Sequence, residues 1–561
     1  MAKLVSLPED ALFLGLDSST QSLKVTVLDA NLQVTCSRAV HFDSELSHYN
    51  TKDGVHRGAG GEVTAPVLMW VEALEAIFNK LKSDNFPFER VYAVSGSGQQ
   101  HGSVYWKQKC GSEALKTLDS SKSLHLQLKN AFSIMESPIW MDSSTSKQCR
   151  AIETAIGGPD VLAQITGSRA YERFTGPQIK KIYESHKHVY DSTERISLVS
   201  SFMASLLVGN YAAIDYSDGA GMNLMDLRRR VWSKAVLDVT APGLEDKLGG
   251  LAPSHTVAGK LSAYFVERYS FSPSCIVIHW SGDNPNSLAG LALDLPGDLA
   301  ISLGTSDTVF GITSDPNPGL EGHVFPNPVD PDTYMVMLCY KNGSLTREGV
   351  RNQMADGSWE VFNHKLNDTS PLNDGNVGFY YSEPEIIPPL PAGLHRFKLT
   401  QVCSESNGKP SFTAETIQEF NPSMEVRAIV EGQFLSMRAH SERIGMPSPP
   451  ERVIVTGGGS ANKQFLKMIA EIFGCNVYTI ERTDSASLGA ALRSAHGWVC
   501  KKLDKFIPVS DLFKGREDMN AVQCKLVAEG MKDSLHKQYG LFACERMKLE
   551  KMLVEQLKLS I

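Results

Sequence analysis

The chain has 561 residues, a net charge of −8 and 42% hydrophobic residues; that length exceeds what one hydrophobic core fills and calls for two large lobes. The mild acidity leaves no basic footprint for nucleic acid, and no run approaches the ~18 apolar residues of a membrane span. The N-terminal MAKLVSLPED has no signal-peptide core, and the ten cysteines stand singly with no C-x-x-C pair, a pattern of small buried thiols in a reducing, cytoplasmic setting.

In the first half, Leu12-Phe13-Leu14 runs into Gly15-Leu16-Asp17, a turn Ser18-Ser19-Thr20, and an alternating run from Leu23 to Leu28. That order predicts a hairpin of two strands. A carboxylate ending a buried strand beside hydroxyls and backbone N–H groups can hold hydrated magnesium through Asp17 and hydrogen-bond phosphate oxygens through the turn. An ordinary Asp/Ser turn has the same composition. Val34 to Phe42 can supply a third antiparallel strand, and Ala65 to Leu81 has helical apolar spacing. A buried strand at Arg90–Val94 leads into Ser95-Gly96-Ser97-Gly98-Gln99-Gln100-His101-Gly102. There the glycines permit close approach, and the amides and imidazole offer the mixed donors and acceptors that a polyhydroxylated ligand needs. Asp142 and Ser143, after Pro138-Ile139-Trp140-Met141, are candidate helix N-caps, and Asp142 is equally a candidate for a place near the substrate. The Thr166–Gly176 loop carries Arg169 and Arg173; a planar guanidinium beside an aromatic can grip hydroxyls. Residues 213–226, AIDYSDGAGMNLMD, read as a structural connection.

In the second half, the buried-strand run Ser274–Trp280 ends at Ser281-Gly282-Asp283-Asn284. A carboxylate after a strand and a glycine suits a cleft, and Asp17 and Asp283 together can divide the work of a magnesium–ATP site, one holding metal and one accepting a hydroxyl proton; a turn aspartate is the plain alternative. Residues 298–315 repeat the opening pattern, with strand Leu299–Ile301, turn Ser302-Leu303-Gly304-Thr305-Ser306, and alternation from Thr308 to Thr313. Two such units suggest two related lobes, each offering a phosphate-facing hairpin to a cleft. Residues 314–421 are the least periodic, with a strand at Tyr334–Tyr340 and Trp359 in a short helical stretch. Asn421-Pro422 starts a long helix. The strand Arg452–Thr456 meets Gly457-Gly458-Gly459-Ser460-Ala461-Asn462, where three glycines before a helix permit close approach by a flat or anionic ligand. Residues 483–491 read as a small-residue helix packing on the same sheet, and the chain beyond about 505 as a terminal helix on the surface.

The paired hairpins are similar to the sugar-kinase, actin and Hsp70 type of protein: an α/β chain with two ribonuclease-H-like lobes around a central cleft, here expected at 1–278 and 279–561. Asp17-Ser18-Ser19-Thr20, Gly98-Gln99-Gln100-His101-Gly102, Trp140-Met141-Asp142 and Asp215-Tyr216-Ser217-Asp218-Gly219-Ala220, in this order, resemble the FGGY family of carbohydrate kinases. Within it the Gln-Gln-His-Gly segment resembles xylulose kinases, and Tyr171-Glu172-Arg173-Phe174-Thr175-Gly176 those of eukaryotes. The resemblance runs from about residue 11 to about residue 500. It implies ATP-dependent phosphorylation of D-xylulose to D-xylulose 5-phosphate, with Asp283 as general base. It places Gln100, His101, Arg173, Asp283 and Asn284 at the sugar; Asp17, Thr20, Gly304 and Thr305 at the phosphates; and Trp359, Gly458, Gly459 and Asn462 at the adenosine. Magnesium falls to Asp17 and Asp283. The Leu-Ser-Gly-Glu-Arg-Thr-Pro-like segment of bacterial members is absent, with Phe379–Pro384 roughly in its place. The expected partners are the sugar and ATP, with no nucleic acid or membrane, in a monomer or homodimer. The rival readings are a kinase for another ketose or polyol, such as ribulose or glycerol, and a non-catalytic sugar or nucleotide sensor.

Overall fold

The computed structural model describes residues 7–291, 293, 295–402, 411–480, 484–514, 524–531 and 534–558. Thr483 and parts of the 314–421 and post-505 segments lie outside the described residues. Two compact units interleave along the chain. The first takes the described residues of 1–294, 318–335 and 484–523, and the second those of 295–317, 336–483 and 524–561. The 278/279 boundary therefore falls inside the first unit, and Asp283 belongs with Asp17.

In the first unit, β1 (Leu12–Ser18), β2 (Ser22–Leu28) and β3 (Val34–His41) form an antiparallel meander. β4 (Val91–Gly98) lies parallel to β1, with Asp17 opposite Ser97. β5 (Val257–Lys260), β6 (Ile276–Ile278) and the short β7 (Ser281–Gly282) complete the sheet beside β4. The expected loop from Ser95 is thus strand as far as Gly98, and its glycines serve packing. A Cβ on Gly96 would sit 2.3 Å from the Trp280 ring, and one on Gly98 2.5 Å from the Ser200 amide nitrogen. Helix Val67–Ser83 buries Val67, Trp70, Val71, Leu74, Ile77, Phe78 and Leu81, one face at 3.6-residue spacing. Neither Asp142 nor Ser143 caps a helix. The Asp142 carboxylate instead accepts from the Val63 amide (3.0 Å), the Ser144 hydroxyl (2.6 Å) and Gln178 Nε2 (2.7 Å), tying three segments together.

The small-residue helix, Ser485–Leu503, departs from expectation by packing on the first sheet. A Cβ on Gly15 of β1 would meet the Ala491 amide nitrogen at 2.1 Å, and the Ser494 hydroxyl donates to the Ala93 carbonyl of β4 at 3.0 Å. Small side chains on both partners bring backbone against backbone.

The second unit repeats the strand plan. β8 (Asp298–Leu303) and β9 (Asp307–Thr313) are the second hairpin, β10 (Tyr334–Tyr340) flanks β9, and β11 (Arg452–Thr456) runs parallel to β8. β12 (Val477–Thr479) and β13 (Lys525–Ala528) extend the far edge. Helix Pro422–Arg443 starts on Asn421, whose side chain accepts from the Met424 amide at 2.9 Å. The C-terminal helix, Ser534–Lys558, is no surface appendage: Tyr539, Phe542, Ala543, Leu549 and Leu553 are buried, and the Tyr539 hydroxyl donates to Glu431 at 2.7 Å. The stretch expected to be aperiodic holds helices Ser344–Met354 and Trp359–Asn367 and a small sheet of Asn376–Tyr381, Gly393–Val402 and Ser411–Thr416.

Candidate active site

At the ends of β1 and β7 the first unit gathers two carboxylates. Asp17 is buried, and that burial pushes its pKa up to about 6 against the pull of the Ser97 hydroxyl, which donates to Oδ1 at 2.7 Å, and of the Lys24 charge. Asp283 is the first residue of helix Asp283–Gly290, reached through Gly282. Desolvation first and repulsion from Asp17 second raise its pKa to about 7, opposed by the backbone amides of Asn284 and Gln100. No Lys or Arg pairs with either group among the described residues; Lys24 bonds instead to Asp484 at 2.6 Å. Two adjacent oxygen-donor carboxylates, both destabilised as anions and neither neutralised by a basic side chain, suit a hard divalent cation.

Around Asp283 the polar groups are mutually oriented. The Asn284 side-chain amide donates to Gln100 Oε1 at 2.9 Å and to its neighbour's carboxylate at 3.2 Å. Gly282 is required there, since a Cβ would lie 2.5 Å from Gln100 Cγ and 2.9 Å from Asp218 Oδ1. His101 is buried with φ 72°, a left-handed conformation costing a non-glycine residue ~1–3 kcal/mol. Its Nδ1 bonds to the Gly221 carbonyl at 2.9 Å, and its own carbonyl accepts from the Thr175 hydroxyl at 2.9 Å. Burial, with the Arg173 charge adding to it, lowers its pKa to about 3. The ring is therefore neutral with its proton on Nδ1, which leaves Nε2 as an acceptor. Arg173 lies over the rings of Tyr171 (5.0 Å) and Phe174 (5.6 Å) and reaches His323 Nε2 at 2.9 Å. Thr20 accepts from Trp140 Nε1 at 2.9 Å.

The second unit holds a cleft of about 670 Å³ lined by Gly304, Thr305, Trp359, Gly458, Gly459 and Asn462 together with Arg347, Asn363 and Phe465. All six residues expected at phosphates or adenosine outside the first unit meet here. Asn462 caps helix Lys463–Phe473 through the Gln464 amide and bonds Asn363 at 2.9 Å. Gly457 adopts φ 80°; Gly459 packs on the Leu303 side chain, while a Cβ on Gly458 would meet nothing within 4 Å. The turn of the hairpin is braced by a buried pair: Arg347 grips Asp307 at 2.6 and 3.0 Å, and Asp307 Oδ1 accepts from the Gly304 amide at 3.1 Å. That amide is thus already engaged.

Three groups at these sites escaped the sequence reading. Asp218 belongs to the segment read as structural, yet it is a buried carboxyl beside Gln100 whose Oδ2 accepts from the Ser200 hydroxyl at 2.5 Å. Burial, followed by the nearby charge of Asp215, holds its pKa well above the ordinary range. The repeated aspartates of Asp-Tyr-Ser-Asp were the available signal; Asp215 caps the helix and Asp218 does not. Arg347 and His323 carried no local signal, because each stands alone in the aperiodic region.

Residues 12–290 match the N-terminal domain, and residues 299–498 the C-terminal domain, of the FGGY family of carbohydrate kinases. The chain is 60% identical over 555 residues to xylulose kinase 2 of Arabidopsis thaliana, covering 99% of both chains. It is 50% identical over 486 residues to the xylulose kinase of Mus musculus, covering 86% of this chain and 85% of that protein. In fold it is similar to a crystal structure described as a xyloylose kinase from Brucella ovis, with a TM-score of 0.74 at 20% identity over 97% of this chain and 100% of that one. With both domains matched and relatives at this identity along nearly its whole length, the chain belongs to the FGGY family of carbohydrate kinases.

Proposed function

We propose that the protein is a xylulokinase that transfers the γ-phosphoryl group of ATP to a hydroxyl of D-xylulose, giving D-xylulose 5-phosphate. The acceptor rests on near-full-length identity to proteins named xylulose kinases. The chemistry rests on one observation above others: an unpaired carboxylate, Asp283, with its pKa raised to about 7, at a helix N-terminus among groups suited to hydroxyls. A general base works best near the operating pH, so Asp283 takes the proton of the attacking hydroxyl. His101 Nε2 accepts from a sugar hydroxyl, Arg173 donates to others, and Gln100 holds Asn284 toward the sugar. Asp17 would hold magnesium, directly or through water, which leaves Asp283 free to act as the base, and the ion would supply charge neutralisation at the phosphates. In the other unit, Trp359, Gly458, Gly459 and Asn462 flank the adenosine. Gly304 gives phosphate room by lacking a side chain, and the Thr305 hydroxyl hydrogen-bonds it; within the first unit the phosphate-facing hydroxyl is that of Thr20. Phosphoryl transfer needs little covalent help, so positioning and charge are the protein's contribution. The scattered single cysteines support a cytoplasmic setting.

A coupled ADP-release assay with magnesium–ATP and xylulose, ribulose, glycerol or no sugar tests this reading. Stimulation by xylulose well above the others is expected. Preferential stimulation by another polyol would overturn the acceptor, and the absence of any sugar-dependent turnover would overturn the kinase.

A further inference from the structure

Arg173 is the cation offered to the acceptor, yet no carboxylate pairs with it among the described residues. Its fixed partner is a histidine. Arg173 Nη2 lies 2.9 Å from His323 Nε2, and His323 Nδ1 lies 3.1 Å from the Ser168 hydroxyl. A guanidinium has no acceptor, so Nε2 must be the lone-pair nitrogen and the His323 proton must sit on Nδ1, donating to Ser168. The Ser168 hydroxyl in turn donates to the Arg169 carbonyl at 3.0 Å. The chain of polarity therefore runs one way, from Arg173 to backbone, with a single tautomer satisfying it. His323 is buried, with its ring between Tyr171 (5.2 Å) and Phe174 (5.1 Å) and stacked at 5.9 Å on Phe325. Burial and the Arg173 charge keep it neutral.

The segment bearing His323 is fastened to the first unit. Gln164 donates to the Pro318 carbonyl (2.6 Å), Tyr171 to Leu320 (3.1 Å), the Val324 amide to Gly167 (2.9 Å) and Ser217 to Pro326 (2.6 Å). Gly167, at φ 90°, has no room for a side chain: a Cβ would sit 2.2 Å from the Val324 carbonyl oxygen.

We infer that His323 is a positioning residue for the acceptor sugar: as a neutral acceptor it fixes one arm of the Arg173 fork, so that the remaining N–H donors are aimed at sugar hydroxyls. A carboxylate in the same place would fix the fork too, but it would neutralise the cation and compete with the hydroxyls for its donors. A neutral imidazole orients the cation without spending its charge. The inference rests on the xylulokinase reading for the identity of the acceptor.

The test compares His323→Phe, which keeps the ring packing and removes both nitrogens, with His323→Gln, which keeps an acceptor, in the full chain. Each is assayed for sugar KM, ATP KM and kcat with xylulose, beside the unaltered protein. Losing a hydrogen bond to a charged group is worth about tenfold or more. His323→Phe should therefore raise sugar KM about tenfold while ATP KM and kcat stay within about threefold, and His323→Gln should recover most of the loss. In an Arg173→Lys background His323→Phe should add little to sugar KM. An unchanged sugar KM in His323→Phe, a parallel rise in ATP KM, or an undiminished effect in the Arg173→Lys background would each overturn the inference. Should His323→Phe fail to fold, Ser168→Ala, which removes the partner of Nδ1, should still raise sugar KM about twofold to threefold, and no rise would count against it. Lack of xylulose turnover in the unaltered protein would instead defeat the underlying reading.

Discussion

Asp17 and Asp283 carry opposite consequences for stability and activity. Each has a folded pKa above the ordinary 3.8, at about 6 and about 7. A raised carboxyl favours the folded state while protonated. That contribution is present below the unfolded value, shrinks as pH climbs from about 4 to about 7, and is gone above the folded pKa, where the desolvated anion is a standing cost. Asp283→Asn removes the charge and keeps the shape. It should raise the stability of the ligand-free protein by about 1–3 kcal/mol at pH 8 and by much less at pH 5. Urea midpoints at the two pH values check this, and equal gains at both would refute it. The same variant should lose about 10²–10⁴-fold in kcat while xylulose, measured by calorimetry, still binds. A protein that is stabilised and inactivated by one change is holding strain for function.

At the scale of elements, helix Asp283–Gly290 is held from behind by helix Ser485–Leu503. A Cβ on Gly489 would lie 1.9 Å from the Asn286 carbonyl oxygen, and Arg493 donates to Asn286 Oδ1 at 2.6 Å. Gly489→Ala should cost about 1–3 kcal/mol by overpacking and lower kcat, because it displaces the helix that begins with Asp283, the proposed base. A denaturation midpoint shift without any kcat change would separate packing from positioning. In the other unit, the Arg347–Asp307 pair braces the turn of the second hairpin. Arg347→Ala strands a buried carboxylate and should destabilise by about 3–5 kcal/mol while raising ATP KM; an unchanged ATP KM in the folded fraction would show that the pair braces nothing the nucleotide uses. Both hairpins, the Asn421 cap and the Gly457–Asn462 turn were legible in the sequence, because alternation, caps and glycine turns are written in adjacent residues. Periodicity is silent on which sheet a helix joins. The small residues of helix Ser485–Leu503 thus announce close packing without saying that its partner is the first sheet.

For the whole molecule, the interleaving was the illegible feature. The first unit recruits residues 318–335 and 484–523 from the far half of the chain, and the first of these brings His323, an isolated histidine in a Pro- and Gly-rich stretch. Long-range recruitment depends on fit between distant surfaces, such as Gly15 against Ala491 or Gly167 against Val324, and each glycine alone reads as a loop or strand residue. The same division separates the two proposed sites: Gln100, His101, Arg173 and Asn284, proposed for the sugar, lie in one unit, and the Trp359–Asn462 cleft, proposed for the nucleotide, lies in the other. Trp359 packs edge-on to Phe465 at 6.0 Å and carries Arg351 over its ring at 4.8 Å. Truncating it should remove a flat wall of the cleft proposed for the nucleotide. Trp359→Ala should raise ATP KM about tenfold with xylulose KM within about twofold, whereas Arg173→Lys should do the reverse, since lysine lacks the planar fork. Groups with no shared partner combine additively, so the double variant should lose kcat/KM by the product of the single losses, within about 0.5 kcal/mol. Steady-state kinetics on the four proteins checks this. A larger deviation would mean that sugar and nucleotide binding are energetically coupled through the segments that cross from one half of the sequence into the other unit.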